Sequence, residues 1–231
     1  MSMLGGLVLV TGAATDLVIS VSRSSRSIGD SEIAYFAAET AVERALLAFE
    51  KQGASLGALN TASTPLPGNS AANYTTSATM ETKAPPDDTR LQAENDASAP
   101  LSTSNRLMVL LPQGKTFYFD LATNGAMYPT NMEIDFANGM PATAIVYASG
   151  AQSTTAYAGT GGNSKVTVPT LGYTSGTRVK VQNTSSSASA NPITIKPTGG
   201  DLPIGVLITG VGRYRGVERR IEVFRPNYVI Y

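Results

Sequence analysis

Asp16 is the titratable residue whose setting in the sequence promises the most chemistry. It stands inside Met3–Val21, MLGGLVLVTGAATDLVISV, a run otherwise without charge. An ionised carboxylate in an apolar layer needs a cationic partner or must be held protonated. The nearest cations are Arg23 and Arg26, just past the run. Two readings follow: the segment is wetter than its composition suggests, or Asp16 pairs with Arg23 or Arg26 of a neighbouring chain in an assembly.

Other chemistry has little to stand on. With no Cys and no His among 231 residues, thiolate and imidazole metal sites, His-based triads and disulfides are excluded. Glu133 and Asp135 project from the same side of an expected strand, where they could share a cation or a proton or simply form a solvated face. Asp87-Asp88 and Asn95-Asp96 could hold calcium weakly, but no D-x-[DN]-x-[DN]-G spacing is present. Gly161-Gly162-Asn163-Ser164 is glycine-rich without the Lys-Ser/Thr and helix that make a phosphate loop. Asn73-Tyr74-Thr75 and Asn183-Thr184-Ser185 are formal glycosylation acceptors. The expectation is a protein that is not an enzyme and holds no cofactor and no metal. Seventeen acidic and seventeen basic residues cancel, so no bulk attraction to nucleic acid is expected.

The elements that position Asp16 and the arginines are helical. From Ser31 to Gln52 Pro and Gly are absent, and Ala, Leu and Glu dominate. Ser27, Asp30 and Ser31 are candidate N-caps, and Gly29, ~1 kcal/mol worse than Ala in a helix interior, marks a break or a kink. Gly53 ends the helix as C′ residue, with Lys51 complementing its C-terminus. At ~100° per residue Glu32, Glu39, Glu43 and Glu50 form a stripe, with Arg23, Arg26, Arg44 and Lys51 a third of a turn or more away. Ala34, Ala37, Ala38, Ala41, Ala45 and Ala48 form a face of small residues, flanked by Val42 and Phe49, that a sheet or another helix can approach closely.

Met3–Val21 has the length of one membrane-spanning helix, diluted by Gly5, Gly6, Thr11, Gly12 and Thr15. The central Asp16 costs ~2.5–3.5 kcal/mol on insertion scales. It reads as a signal peptide lacking the basic start, as a marginal anchor, or as the lower part of a longer apolar helix. With the basic segment Ser22–Arg26, Ile28-Gly29-Asp30-Ser31, Ala34-Tyr35-Phe36-Ala37-Ala38-Glu39 and Val42-Glu43-Arg44-Ala45-Leu46, it resembles the start of bacterial type IV pilin-like proteins, most nearly the minor-pilin group. Thr40-Ala41 stands where that pattern has Ala-Gly. The family's basic leader, Gly/Ala processing site and Glu at the fifth mature position find no counterpart in MSMLGG, so the expectation is a chain that starts late relative to the family pattern.

Residues 54–105, rich in Ala, Ser, Thr, Asn and Pro, read as a connecting excursion over the surface. Pro65-Leu66-Pro67-Gly68 and Pro85-Pro86-Asp87-Asp88 mark turns, and Leu91 and Leu101 are sparse anchors. From Arg106 the period becomes two. Strands are predicted at 106–111, 115–121, 132–136, 142–148, 165–168, 177–182, 193–196, 205–211 and 217–224. Pro112-Gln113-Gly114 reads as a hairpin connection, and the last hairpin turns between Gly212 and Gly216. Residues 150–200 read as a β insertion. The predicted fold is therefore α+β. A long helix over 1–53, with an apolar half at 3–21 and an amphipathic half at 27–52, precedes a mostly antiparallel β domain over 106–231.

The resemblance implies a structural subunit of a pilus-like filament, displayed outside the cell and held in the inner membrane before assembly. Its partners would be copies of itself or other pilin-like subunits. Helix packing would run through Leu4, Leu7, Val8, Val10, Ala14, Leu17, Val18 and Val21. In a staggered bundle Glu39 and Glu43 of one chain would face Arg23 or Arg26 of the next, setting register more than strength. The alternative is a single-pass anchored surface or adhesin-like protein that never polymerises.

Overall fold

A computed structural model describes residues 2–84, 88–120, 131–136, 142–148, 151–159, 164–169, 178–184 and 191–231, with side chains at 18–84, 88–120, 131–136, 167, 178–184 and 192–231. The fold is α+β: one long N-terminal helix and antiparallel sheets.

Helix α1 runs from Ser2 to Gln52 without interruption, ~77 Å at 1.5 Å per residue. Gly29 does not break it, and Ser27, Asp30 and Ser31 lie inside it rather than capping it. One glycine costs too little to stop a helix that strong formers extend on both sides. Gly53, at φ 66°, ends it in the left-handed conformation expected of a C′ residue, with Lys51 in the last turn. A single turn, α2 (Leu56–Leu59), follows.

The chain divides into two compact units. The first holds α1, residues 59–77 and residues 208–223. Its sheet is built from β1 (Thr61–Leu66), β2 (Asn69–Glu81), β12 (Gly205–Tyr214) and β13 (Val217–Pro226), in that spatial order. The β1–β2 turn has Pro67 followed by Gly68 at φ 82°, the residue pair a type II turn requires. Ala34, Ala37, Ala38, Ala41, Val42 and Ala45 of α1 are buried. Beneath them lie Ala72, Tyr74, Tyr214 and the glycines of β12.

That contact is backbone against backbone. A Cβ on Gly212 would stand 2.0 Å from the Ala34 carbonyl oxygen and 2.5 Å from the Ala38 nitrogen, and one on Gly210 2.5 Å from the Ala38 oxygen. The expected close approach of a sheet to the alanine face is thus present, and it explains a correction. Gly212 is not a turn residue; the two-residue turn is Arg215-Gly216, at φ 46° and 83°, the mirror-image type that matches strand twist.

The second unit, residues 53–58, 78–207 and 224–231, holds two five-stranded sheets. One has the order β14-β5-β10-β7-β8: Tyr228–Ile230, Thr116–Asp120, Arg178–Asn183, Ala142–Ala148 and Ala151–Gly159. The other is β3-β4-β11-β6-β9: Leu91–Glu94, Arg106–Leu111, Asn191–Thr198, Asn131–Phe136 and Ser164–Pro169. Within both sheets neighbouring strands pair antiparallel. Phe117, Phe119, Val179, Val181 and Tyr228 of one sheet share a buried core with Leu107, Val109, Leu111, Met132, Ile134, Phe136, Ile193 and Ile195 of the other. The unit is a β-sandwich.

Three expectations change here. Residues 54–105 are not only a connection: they supply β1, β2 and β3. Pro112-Gln113-Gly114 does turn the chain, with the Lys115 N–H donating to Pro112 O at 3.1 Å, but β4 and β5 join different sheets. Crossing over lets Leu107, Val109 and Leu111 face Phe117 and Phe119 across the core instead of beside them. Finally, 150–200 is not an insertion, because β10 and β11 are the middle strands of the two sheets.

Candidate assembly surface

Residues 31–48 of α1 carry alternately buried and exposed faces, whereas every residue from Val18 to Ile28 is exposed. Val18 is 66% exposed, Val21 62% and Ile28 62%, with Phe36 and Leu47 exposed further along. The apolar side chains an amphipathic helix hides are here open, on the side opposite the alanines that grip β12. The acidic stripe shares that side: Glu32, Glu43 and Glu50 are exposed and Glu39 half-buried.

Among the described residues, Arg23, Arg26, Glu32, Glu39 and Glu43 have no ion-pair partner. The helix is fastened to its sheet by other groups. Arg44 Nη1 donates to Tyr74 Oη at 2.8 Å, with its guanidinium 5.8 Å from that ring. Arg219 Nε donates to Ser31 Oγ at 2.8 Å, and Arg215 lies 4.0 Å from Asp30. Ser22 and Ser25 are short, and between them Val18, Val21 and Arg26 they line a shallow notch of about 520 Å³. Phe36 stands proud of the helix, edge-on to Tyr35 at 6.1 Å.

Compared with known proteins, the chain matches no family model, no curated protein and no solved structure. The surface must therefore be read from its own chemistry.

Of the residues predicted to pack or pair, Val18, Val21, Glu39 and Glu43 lie on this surface and Arg26 at its edge, whereas Arg23, though exposed, falls on the alanine side of the helix. Leu4, Leu7, Val8, Val10, Ala14, Asp16 and Leu17 belong to α1, but their side chains lie outside the described residues. Among the described residues no helix is long and apolar enough to cross a membrane.

The remaining acidic candidates do not gather into a site. Glu133 and Asp135 share the outer side of β6, each half-buried. Glu133 pairs in register with Lys196 of β11, which is half-buried like it. No group of three or more metal-ligating side chains stands together among the described residues. Asp96 accepts from the Ser98 N–H and hydroxyl at 2.9 and 2.7 Å, which lowers its pKa and closes a local turn. Asp87 and Gly161–Asn163 lie outside the described residues. Asn183 is fully buried, its amide donating to Leu111 O at 2.8 Å, so it is closed to glycosylation, whereas Asn73 is half-exposed on β2.

Sequence reasoning missed one charged cluster. Arg90 grips Asp88 with two parallel bonds, Nε to Oδ1 at 2.9 Å and Nη2 to Oδ2 at 3.0 Å, and the Tyr228 hydroxyl donates to Oδ2 at 3.2 Å. The guanidinium holds the Asp88 carboxyl below the usual range, and burial pushes the Tyr228 phenol up to about 12. This is a latch on β14, which carries only three residues of its own. Nothing local in the sequence joins positions 88 and 228.

Proposed function

We propose that this protein is a structural subunit of a pilus-like filament, assembled through the exposed half of α1, with its β-sandwich turned outward. The observation that carries the reading is the set of uncovered apolar side chains Val18, Val21 and Ile28 on the side opposite the alanines, with Phe36 and Leu47 further along it, on a helix whose other half is locked to its own sheet. Burying a Val or Ile side chain contributes ~1.5–3 kcal/mol, so a set of them is a strong incentive to associate. The sheet holds the other half of the same helix, so these side chains project from an element already anchored at one end. The pilin-like order of apolar helix, arginines and alanine–glutamate helix supports the same reading, as does the family's outward display of a β domain. On this reading the residues before Val18 extend the packing surface, and the subunit waits in the inner membrane before assembly.

The test compares the full chain with a Val21→Asp, Ile28→Asp variant by sedimentation and electron microscopy. The expected result is assemblies of the parent chain and single copies of the variant, with unchanged circular dichroism. Assemblies that persist in the variant, or a parent chain that stays single at every concentration, would overturn it.

A further inference from the structure

Strand β13 is the last strand of its sheet, so one side of its backbone has no neighbour strand. The two-residue turn Arg215-Gly216 makes Tyr214 and Val217 a directly opposite, hydrogen-bonded pair. The same register sets Arg213 opposite Glu218, and their side chains meet at 2.8 Å. Odd-numbered residues of β13 therefore bond to β12, while the N–H and C=O of Glu218, Arg220 and Glu222 point to the free edge. Such an edge is a template for a further strand.

Charge and register choose that strand. Glu218, Arg220 and Glu222 are exposed on one face of β13, and Arg219, Ile221 and Val223 alternate with them on the other. A second β13 added antiparallel about a two-fold axis sets the central residue opposite itself. Between Glu218 and Glu222 every residue except Ile221 is charged, so every other centre opposes like charges, which destabilises a strand pair. Centred on Ile221, the two Ile221 side chains meet and Arg219 meets Val223. Arg220 of each copy then meets Glu222 of the other, an opposite-charge pair made twice by symmetry. The edge is also clear of α1, whose alanines lie against Ala72, Tyr74, Gly210 and Gly212 of β2 and β12. β12 and its copy would stand three strand spacings apart, ~14 Å, more than the ~8–10 Å between helices packed side by side. We infer that β13 pairs antiparallel with β13 of a second copy of this chain, centred on Ile221, joining two four-stranded sheets into one of eight. The contact is isologous, closes at two copies and uses none of residues 18–28. So few residues pair that its area falls well below the ~1,600 Å² of a standard interface. It is a transient contact that fills at high concentration, and at the lower concentrations of sedimentation copies lacking the α1 contact stay single.

The chain has no cysteine, so single introduced thiols read the register. Ile221 opposes its own copy at a non-hydrogen-bonded position, where Cα atoms stand ~4.5 Å apart, within disulfide range. Full-length Arg219→Cys, Arg220→Cys, Ile221→Cys and Glu222→Cys are concentrated and oxidised in the Val21→Asp, Ile28→Asp background, so that α1 adds nothing. A disulfide dimer is expected fastest from Ile221→Cys. A mixture of Arg220→Cys and Glu222→Cys, both exposed and opposite in this register, is expected to give the mixed dimer, and it serves if Ile221→Cys fails to fold. Adding Arg220→Glu to Ile221→Cys is expected to slow trapping about tenfold, and adding Glu222→Arg to that to restore it. A dimer that forms fastest from Arg219→Cys, Arg220→Cys or Glu222→Cys alone means another register. No dimer from Ile221→Cys or from the mixture means no pairing, and an unchanged rate with Arg220→Glu means that charge does not set the contact. Each of these overturns the inference, and none touches the filament reading, which rests on residues 18–28.

Discussion

Asp88 and Tyr228 show how side chains distant in sequence hold a three-strand-residue terminus in place. Tyr228 packs at 6.2 Å from Phe117 while its hydroxyl reaches Asp88. Folding favours the neutral phenol, because its pKa rises from 10.0 to about 12. The stabilisation is complete below pH ~10 and is lost as pH rises through the folded value. Asp88 works in the other direction: its pKa is lowered from 3.8, so its contribution is present above that value and fades in more acidic solution. In a phenolate absorbance titration one tyrosine is expected to ionise near pH 12, and Tyr228→Phe should delete that step. A Tyr228→Phe variant that keeps the step near pH 12 would contradict the latch.

At the scale of elements, the joint between α1 and β12 depends on missing side chains. Gly212→Ala sets a methyl 2.0 Å from the Ala34 oxygen, and backbone cannot rotate aside as a side chain can. A loss of ~1–3 kcal/mol or more is expected, read as a lower thermal midpoint and faster amide exchange over residues 31–48. Gly57→Ala, with nothing within 4 Å, serves as control; equal losses in the two would refute the interlock. The alanine face was legible in the sequence because its period is helical. Its partner was not, since glycines in GVLITGVGRY look like turn residues until the helix lies over them. Strands β4, β6, β10 and β11 were legible because large apolar residues alternate. β1 and β2 were not, being made of Ser, Thr, Asn and Ala, and the sheet change at Pro112–Gly114 was hidden because it leaves the local turn signal unchanged.

For the whole molecule, the two units bury their apolar residues in different ways. The sandwich closes its core between its own sheets, with Phe117, Phe119 and Phe136 almost wholly enclosed. The helical unit buries one face of α1 and leaves Val18, Ile19, Val21, Ile28 and Phe36 open. The candidate surface was half legible: Val18, Val21, the arginines and the glutamates were named from pattern, whereas Phe36 as a projecting ring and the notch made by Ser22 and Ser25 needed three dimensions. In the proposed filament, copies of the chain cover residues 18–28. Hydrogen–deuterium exchange of the full-length protein over a dilution series tests it directly. Residues 18–28 are expected to exchange freely when dilute and to gain protection as concentration rises, while the sandwich core stays unchanged. Protection of 18–28 that is already complete in single copies, or that never appears while assemblies form, would contradict it.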